Sequence, residues 1–125
     1  MLLFVLKNNG SLPLAIFPTV GYNKSTRADK ETKTRKDGFL KIACVTPPLR
    51  VADCTYNADQ IIAKAKEAAQ AGAKLAAFPE LCLTGYTCGD LFLQEALLRC
   101  AEEELVRMLN ETADLSILVI VGLPY

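Results

Sequence analysis

The chain has 125 residues, no histidine, and 14 acidic and 14 basic side chains. This length allows one domain at most, and the lack of histidine excludes Ser-His-Asp and Cys-His catalysis and most zinc sites within the chain. Residues 1–37 carry seven Lys and Arg against three Asp and Glu, whereas residues 38–125 carry seven against eleven. The acidic main body argues against a nucleic-acid surface, and no apolar run approaches the roughly 20 residues that a membrane span needs.

The first 37 residues differ in character from the rest. Two prolines interrupt the apolar residues 12–20, and residues 23–38 lack apolar side chains able to form a core. Such a segment cannot bury enough apolar surface to offset the entropy of ordering it. We therefore expect residues 1–37 to be a disordered appendage and residues 38–125 to hold the folded part.

Three short apolar runs predict buried strands at residues 39–45, 75–78 and 117–121. None of them alternates apolar with polar residues, and helical patterns separate them. This strand-helix-strand-helix-strand order predicts an α/β fold with a parallel sheet. The third strand would then have an open edge.

Two helices are expected between these strands. Residues 56–71 place Ala and Ile on one stripe at spacings of three and four, and Gly72 supplies a C-terminal stop. Three residues are candidate N-caps for this helix: Asp53, Thr55 and Asn57. The second helix is expected to run to about Asn110, with Asp90 as its candidate N-cap. Its predicted apolar stripe comprises Phe92, Leu93, Ala96, Leu97, Cys100, Ala101, Leu105, Met108 and Leu109.

Glu80 is the candidate catalytic residue. It lies in residues 78–86 (FPELCLTGY), two residues beyond the second predicted strand, and ligands of parallel α/β sheets gather at the carboxyl ends of strands. A carboxylate in that place is expected to be partly desolvated and thereby suited to proton transfer. The same position also suits a cap partner, a salt bridge or a solvated side chain, so position alone does not assign catalysis.

The chain has five cysteines, which is an odd number. They form no CxxC pair, and no secretory signal precedes them. These features favour free thiols in a reducing cytoplasm. Cys82 lies within the glutamate motif and Cys88 two residues after it, but we interpret both as small buried apolar side chains rather than as nucleophiles.

Residues 39–125 resemble the start of the carbon–nitrogen hydrolase family, also called the nitrilase superfamily. FPELCLTGY looks like the family's first catalytic motif, and the KIACV strand and the VGLP segment at residues 121–124 also match. Residues 84–92 (TGYTCGDLF) are similar to a loop in the glutaminase domain of glutamine-dependent NAD synthetases. Two alternatives stay open: a stand-alone amidase of the same superfamily, and a non-enzymatic α/β interaction domain.

The resemblance implies that Glu80 is the general base and that Tyr86 lines the glutamine pocket, although Tyr86 could simply pack the loop. The family's lysine and nucleophilic cysteine would lie beyond Tyr125, so the chain by itself is expected to be inactive. The implied fold is a four-layer α-β-β-α sandwich, of which these residues form an incomplete β-α-β-α-β start within the N-terminal part of the domain.

The resemblance also implies substrates and partners. Glutamine would supply ammonia to a second domain, where deamido-NAD is amidated with ATP and Mg²⁺. No cofactor or metal site is expected in this chain itself. Whole proteins of this family commonly form homo-oligomers.

Overall fold

The computed structural model describes residues 2–7, 15–17 and 40–124. The elements, in chain order, are β1 (Leu2–Lys7), β2 (Ala15–Phe17), β3 (Ile42–Cys44), α1 (Cys54–Gln70), β4 (Leu75–Ala77), a 3₁₀ helix (Gly89–Leu93), α2 (Glu95–Glu111) and β5 (Leu118–Leu123). None of the helices in these ranges is both long enough and apolar enough to cross a membrane.

The three strands predicted from the apolar runs form the parallel part of one sheet. The sheet order is β2-β1-β5-β4-β3, with β4 parallel to both β3 and β5. Ile42, Leu75 and Leu118 stand side by side across these three strands. The α/β class and the β-α-β-α-β order are therefore confirmed.

The other edge of β5 is paired rather than open. β1 runs antiparallel to β5 from Leu2 opposite Leu123 to Lys7 opposite Leu118, and β2 runs antiparallel to β1. An exposed strand edge presents unpaired N–H and C=O groups, and a further strand satisfies them. Residues 2–7 and 15–17 are therefore strands of this sheet. The rest of residues 1–37 lies outside the described residues, and the domain boundary at residue 38 stays a prediction.

α1 follows its apolar pattern closely. Of the three candidate caps, Asp53 is the N-cap, because its Oδ1 accepts a hydrogen bond from the backbone N–H of Tyr56 at 3.0 Å. The predicted stripe is buried at Ala58, Ile61, Ile62, Ala65 and Ala68. Gly72 follows the helix with φ of +82°, a conformation that glycine adopts without strain.

α2 begins four residues later than the pattern predicts, because its N-cap is Gln94 and not Asp90. Gln94 is extended, with φ −93° and ψ 122°, and this breaks the helix between the 3₁₀ segment and Glu95. The 3₁₀ segment has its own period, so Leu93 does not join the α2 stripe and is 85% exposed. Asp90 lies in the first turn of the 3₁₀ helix and does not cap α2.

The two faces of the parallel sheet differ. α1 and α2 pack against each other, and right-handed crossovers place both on one face, where Ala76 and Val119 are almost fully buried. Side chains alternate between faces, so the opposite face carries every second residue. That opposite face has two apolar rows, all exposed or half-buried among the described residues: Ile42, Leu75 and Leu118, then Cys44, Ala77 and Ile120.

Candidate active site

Glu80 leaves the sheet at the carboxyl end of the central parallel strand. The N–H of Phe78 still donates to the Ile120 carbonyl at 3.0 Å, and Pro79 then ends the ladder because it has no N–H. Glu80 is exposed, so the partial desolvation expected for its carboxylate is absent within the described part of the chain. The carboxylate is therefore open to a molecule that approaches this edge of the sheet.

The loop after Glu80 folds tightly back on itself. The N–H of Cys82 donates to the Pro79 carbonyl at 3.2 Å, and the N–H of Gly85 donates to the Leu81 carbonyl at 2.7 Å. Gly85 has φ of +85°, which a side chain would strain. Cys82, Leu83 and Thr84 are completely buried, so this is an ordered part of the core.

The tight loop brings Tyr86 back to Glu80. The Tyr86 hydroxyl accepts a hydrogen bond from the backbone N–H of Glu80 at 3.0 Å, while the residue stays 53% exposed. The phenol of Tyr86 thus lies against the backbone of Glu80 at the strand end. The two residues singled out from the sequence are therefore in direct contact.

Gly122 of β5 lies directly against the backbone of Glu80. The sequence pattern did not reveal this contact. A Cβ atom at this position would lie 1.6 Å from the Glu80 carbonyl oxygen and 2.8 Å from its Cα. The Glu80 backbone therefore rests directly on β5, and only a glycine leaves room for it.

Asn57 is the second residue whose role the sequence pattern did not reveal. Its side chain is completely buried in the first turn of α1 and hydrogen-bonds the backbone of Arg50 and Leu83. The sequence contained one indication of this role, because Asn57 stands four residues before Ile61 on the apolar stripe of α1. A polar residue in such a stripe needs buried partners.

The cysteines of the glutamate motif are buried, as predicted. Cys82 is inaccessible, and burial raises the pKa of its thiol to about 11. Cys88 is 5% exposed, and its Sγ lies 3.1 Å from the Thr84 carbonyl. Neither thiol faces a molecule bound beside Glu80, and no group of three or more Cys, Asp or Glu side chains in the described ranges is arranged to hold a metal ion.

Comparison with known proteins gives the same family as the motif. The family model for carbon-nitrogen hydrolase matches residues 41–125. The chain is 38% identical over 87 residues to a glutamine-dependent NAD(+) synthetase from Mycobacterium tuberculosis, an alignment that covers 70% of this chain and 13% of the relative. It is 35% identical over 75 residues to the synthetase of the same name from Aquifex aeolicus, covering 60% of this chain and 13% of the relative.

A solved structure agrees with the sequence matches. The crystal structure of a glutamine-dependent NAD(+) synthetase from Cytophaga hutchinsonii superimposes with a TM-score of 0.61 at 30% identity, over 67% of this chain and 14% of that chain. The chain thus spans about 13% of the length of its curated relatives. Because the family model covers most of the chain, the chain belongs to the carbon–nitrogen hydrolase family.

Proposed function

We propose that this chain forms the beginning of the glutamine-hydrolysing domain of a glutamine-dependent NAD(+) synthetase, with Glu80 as the general base. The observation that carries the proposal is the place of Glu80: an exposed carboxylate at the carboxyl end of the central parallel strand, where ligands of such sheets bind. The names of the relatives support the choice of glutamine over other amides.

Glu80 takes up a thiol proton and later activates water. The thiolate attacks the amide carbon of glutamine, a thioester forms, and ammonia leaves with a proton returned by the glutamic acid. A lysine stabilises the oxyanion. Cys82 and Cys88 are buried, so neither supplies this thiol. In this proposal the nucleophilic cysteine and the lysine lie in later parts of the whole domain, as the resemblance to the family implies. We accordingly expect the 125 residues alone to hydrolyse no glutamine.

Tyr86 lines the glutamine pocket in this proposal. Its hydroxyl is held by the Glu80 N–H, and about half of the residue remains accessible beside the carboxylate. A ring fixed in this way shapes the pocket at little entropic cost, because it is already ordered before the substrate binds.

The ammonia serves the amidation of deamido-NAD in a second domain. ATP and Mg²⁺ belong to that domain, since the present chain contains no glycine- and serine-rich pyrophosphatase loop. Cytoplasmic location is consistent with five free cysteines. The whole protein is a homo-oligomer in this proposal and binds neither nucleic acid nor a membrane.

The test uses the whole natural protein, expressed from the complete reading frame that contains these codons. NAD formation is measured with glutamine and, separately, with ammonium as the nitrogen source. Glu80→Gln should reduce the glutamine-supported rate by about 100-fold or more, the usual share of a general base, and leave the ammonium-supported rate unchanged. Glu102→Gln, at an exposed carboxylate of α2, is the matched control.

Three outcomes would overturn parts of the proposal. A Glu80→Gln variant with an undiminished glutamine-supported rate would remove Glu80 from the reaction. A protein that hydrolyses amides but forms no NAD would be a stand-alone amidase. A protein with neither activity would favour the interaction domain.

A further inference from the structure

Asn57 is a buried polar side chain in an otherwise apolar part of α1. It is completely inaccessible, and its neighbours Ala58 and Ile61 on the same face are completely inaccessible as well. Burying an amide without hydrogen bonds costs several kcal/mol, on the order of 2–7. A buried asparagine is therefore expected to make specific contacts, and those contacts indicate its role.

The Asn57 amide uses both of its donors and its acceptor on backbone groups. Oδ1 accepts from the Arg50 N–H at 2.8 Å, and Nδ2 donates to the Arg50 carbonyl at 2.8 Å and to the Leu83 carbonyl at 3.0 Å. Arg50 lies in the segment after β3, and Leu83 lies in the loop after β4. One side chain thus ties together the segments that leave two neighbouring strands.

A second contact joins the same two segments. The N–H of Ala52 donates to the Thr84 carbonyl at 2.8 Å. Gly85 lies against Val51, whose Cα would be 3.4 Å from a Cβ built on the glycine. The loop after β4 therefore packs against residues 50–52, and the Asn57 side chain hydrogen-bonds both of these segments.

The loop that Asn57 holds, residues 81–86, also places Tyr86 next to Glu80. Leu83 lies midway between these two residues in sequence, and the bond from the Gly85 N–H to the Leu81 carbonyl turns the chain back. The turn ends with the Tyr86 hydroxyl on the Glu80 N–H. A shift of Leu83 is transmitted along this short, buried path to both residues.

We propose that Asn57 is a positioning residue of the Glu80 site. Its bond to the Leu83 carbonyl holds the loop of residues 81–86 in the conformation that places the Tyr86 hydroxyl on the Glu80 backbone. The importance of this geometry for catalysis rests on the proposed function, whereas the geometric effect does not. Asn57 touches no reacting atom.

Asn57→Asp separates hydrogen bonding from packing. Aspartate has nearly the same size, but an ionised carboxylate only accepts hydrogen bonds. The carbonyls of Arg50 and Leu83 would each lose a donor and would face a negative charge. The matched control is Asn110→Asp, because Asn110 is exposed near the end of α2 and far along the chain from the loop.

The first measurement is hydrogen–deuterium exchange of the whole natural protein, read by mass spectrometry on peptides that cover residues 79–86 and 97–109. In Asn57→Asp, exchange of the loop peptide should rise by about tenfold or more, the effect of losing a buried hydrogen bond, while exchange of the α2 peptide stays as in the unmodified protein. Asn110→Asp should change neither peptide.

Two results would overturn the proposal. One is unchanged exchange of the loop peptide. The other is an equal rise in both peptides, which would make Asn57 a residue of general stability. If Asn57→Asp does not fold, Asn57→Ser, which keeps one donor, is measured by the same two criteria.

Kinetics provide the second readout. Asn57→Asp should lower kcat for glutamine by about tenfold or more with the ammonium-supported rate unchanged, as expected for a misplaced catalytic group. An unchanged kcat would contradict the positioning role. If Glu80→Gln also left the glutamine rate unchanged, the proposed function would fail by itself, and the exchange result would still decide whether Asn57 orders the loop.

Discussion

Position 122 requires glycine because the backbone of Glu80 packs directly against it. The backbone of Glu80 occupies the space of a Cβ atom, with the carbonyl oxygen 1.6 Å from the place where that atom would be. We predict that Gly122→Ala pushes the Glu80 backbone away from β5 and lowers the free energy of unfolding by about 1–3 kcal/mol, the usual cost of overpacking. Urea denaturation gives the stability change, and hydrogen exchange of residues 79–86 gives the displacement.

Gly72→Ala is the control for that prediction. A Cβ at Gly72 would meet no atom within 4 Å, but the φ of +82° makes alanine unfavourable there. This variant should lose about 1–2 kcal/mol of stability through backbone strain, yet exchange in residues 79–86 should stay unchanged. If both variants left that exchange unchanged, contact between Gly122 and Glu80 would not matter for the site.

Two buried thiols make the fold sensitive to alkali. Burial raises the pKa of Cys82 from 9.0 to about 11. Burial, assisted by the neighbouring Cys100 thiol, raises the pKa of Cys54 from 9.0 to about 12. Below pH 9 both the folded and the unfolded chain keep these protons, so the two thiols do not lower the free energy of unfolding. Above pH 9 the unfolded chain loses them first, and the free energy of unfolding falls as pH rises.

We therefore predict that urea midpoints change little between pH 7 and 8.5 and decline from pH 9 to 11. The loss should reach up to about 1.4 kcal/mol per pH unit for each thiol. Cys82→Ala should make the decline shallower, whereas Cys44→Ala should not, because Cys44 is exposed. Equal slopes for the two variants would mean that the burial of Cys82 does not control the alkaline loss.

At the scale of elements, Arg107 fastens α2 to α1. Its guanidinium donates to Glu111 Oε1 at 2.9 Å within α2, to Asp59 Oδ1 at 2.8 Å on α1, and to the Thr55 carbonyl at 3.3 Å. Glu104 of α2 completes the network and also accepts a bond from the Thr55 hydroxyl at 2.8 Å. Because several partners share one cation, the network holds the two helices in register.

Arg107→Ala should lower the free energy of unfolding by about 1 kcal/mol, since the side chain is partly exposed and isolated surface pairs contribute less. Part of this loss should vanish in 1 M NaCl, where charges are screened. Arg99→Ala, at an exposed position of the same helix, should have no comparable effect. A loss that did not depend on salt would indicate that the methylene groups of Arg107, rather than its charge, stabilise the helix pair.

The elements that the sequence predicted are those that depend on local patterns. The α1 stripe and the Asp53 cap lie within a few residues of one another, and the three parallel strands are continuous apolar runs. The break at Gln94 was missed because apolar spacing continues through it. The pairing of β1 with β5 was missed because the two strands are more than 100 residues apart in sequence, and no local periodicity reports such a contact.

The residues of the candidate site also divide into those that the sequence could identify and those that it could not. Glu80 and Tyr86 could be identified because both belong to one nine-residue motif at a strand end. The contribution of Asn57 depends on carbonyls 7 and 26 residues away, and that of Gly122 depends on the backbone of Glu80 in the loop after β4. Such contacts exist only after the sheet has assembled, so a pattern read along the chain does not contain them.

At the scale of the whole molecule, the dominant feature is the sheet face opposite the helices, which no other described residue covers. Its six apolar residues form two adjacent rows across β3, β4 and β5, and Ile42 is 54% exposed. Contiguous apolar surface of this kind normally contacts another layer of protein. The chain covers only 14% of the related solved structure, so most of that protein consists of residues with no counterpart in this chain.

The 125-residue chain expressed alone should therefore self-associate through this face. We predict that it elutes from a size-exclusion column well before the position of a monomer, and that Ile42→Lys combined with Ile120→Lys shifts it towards the monomer, because charges on this face make its burial unfavourable. Val106→Lys is the matched control: Val106 is 57% exposed on α2, away from the sheet face, and its substitution should not alter elution. Circular dichroism checks that all variants keep their helices. An unmodified chain that stays monomeric at high concentration would show that the face is not available for association.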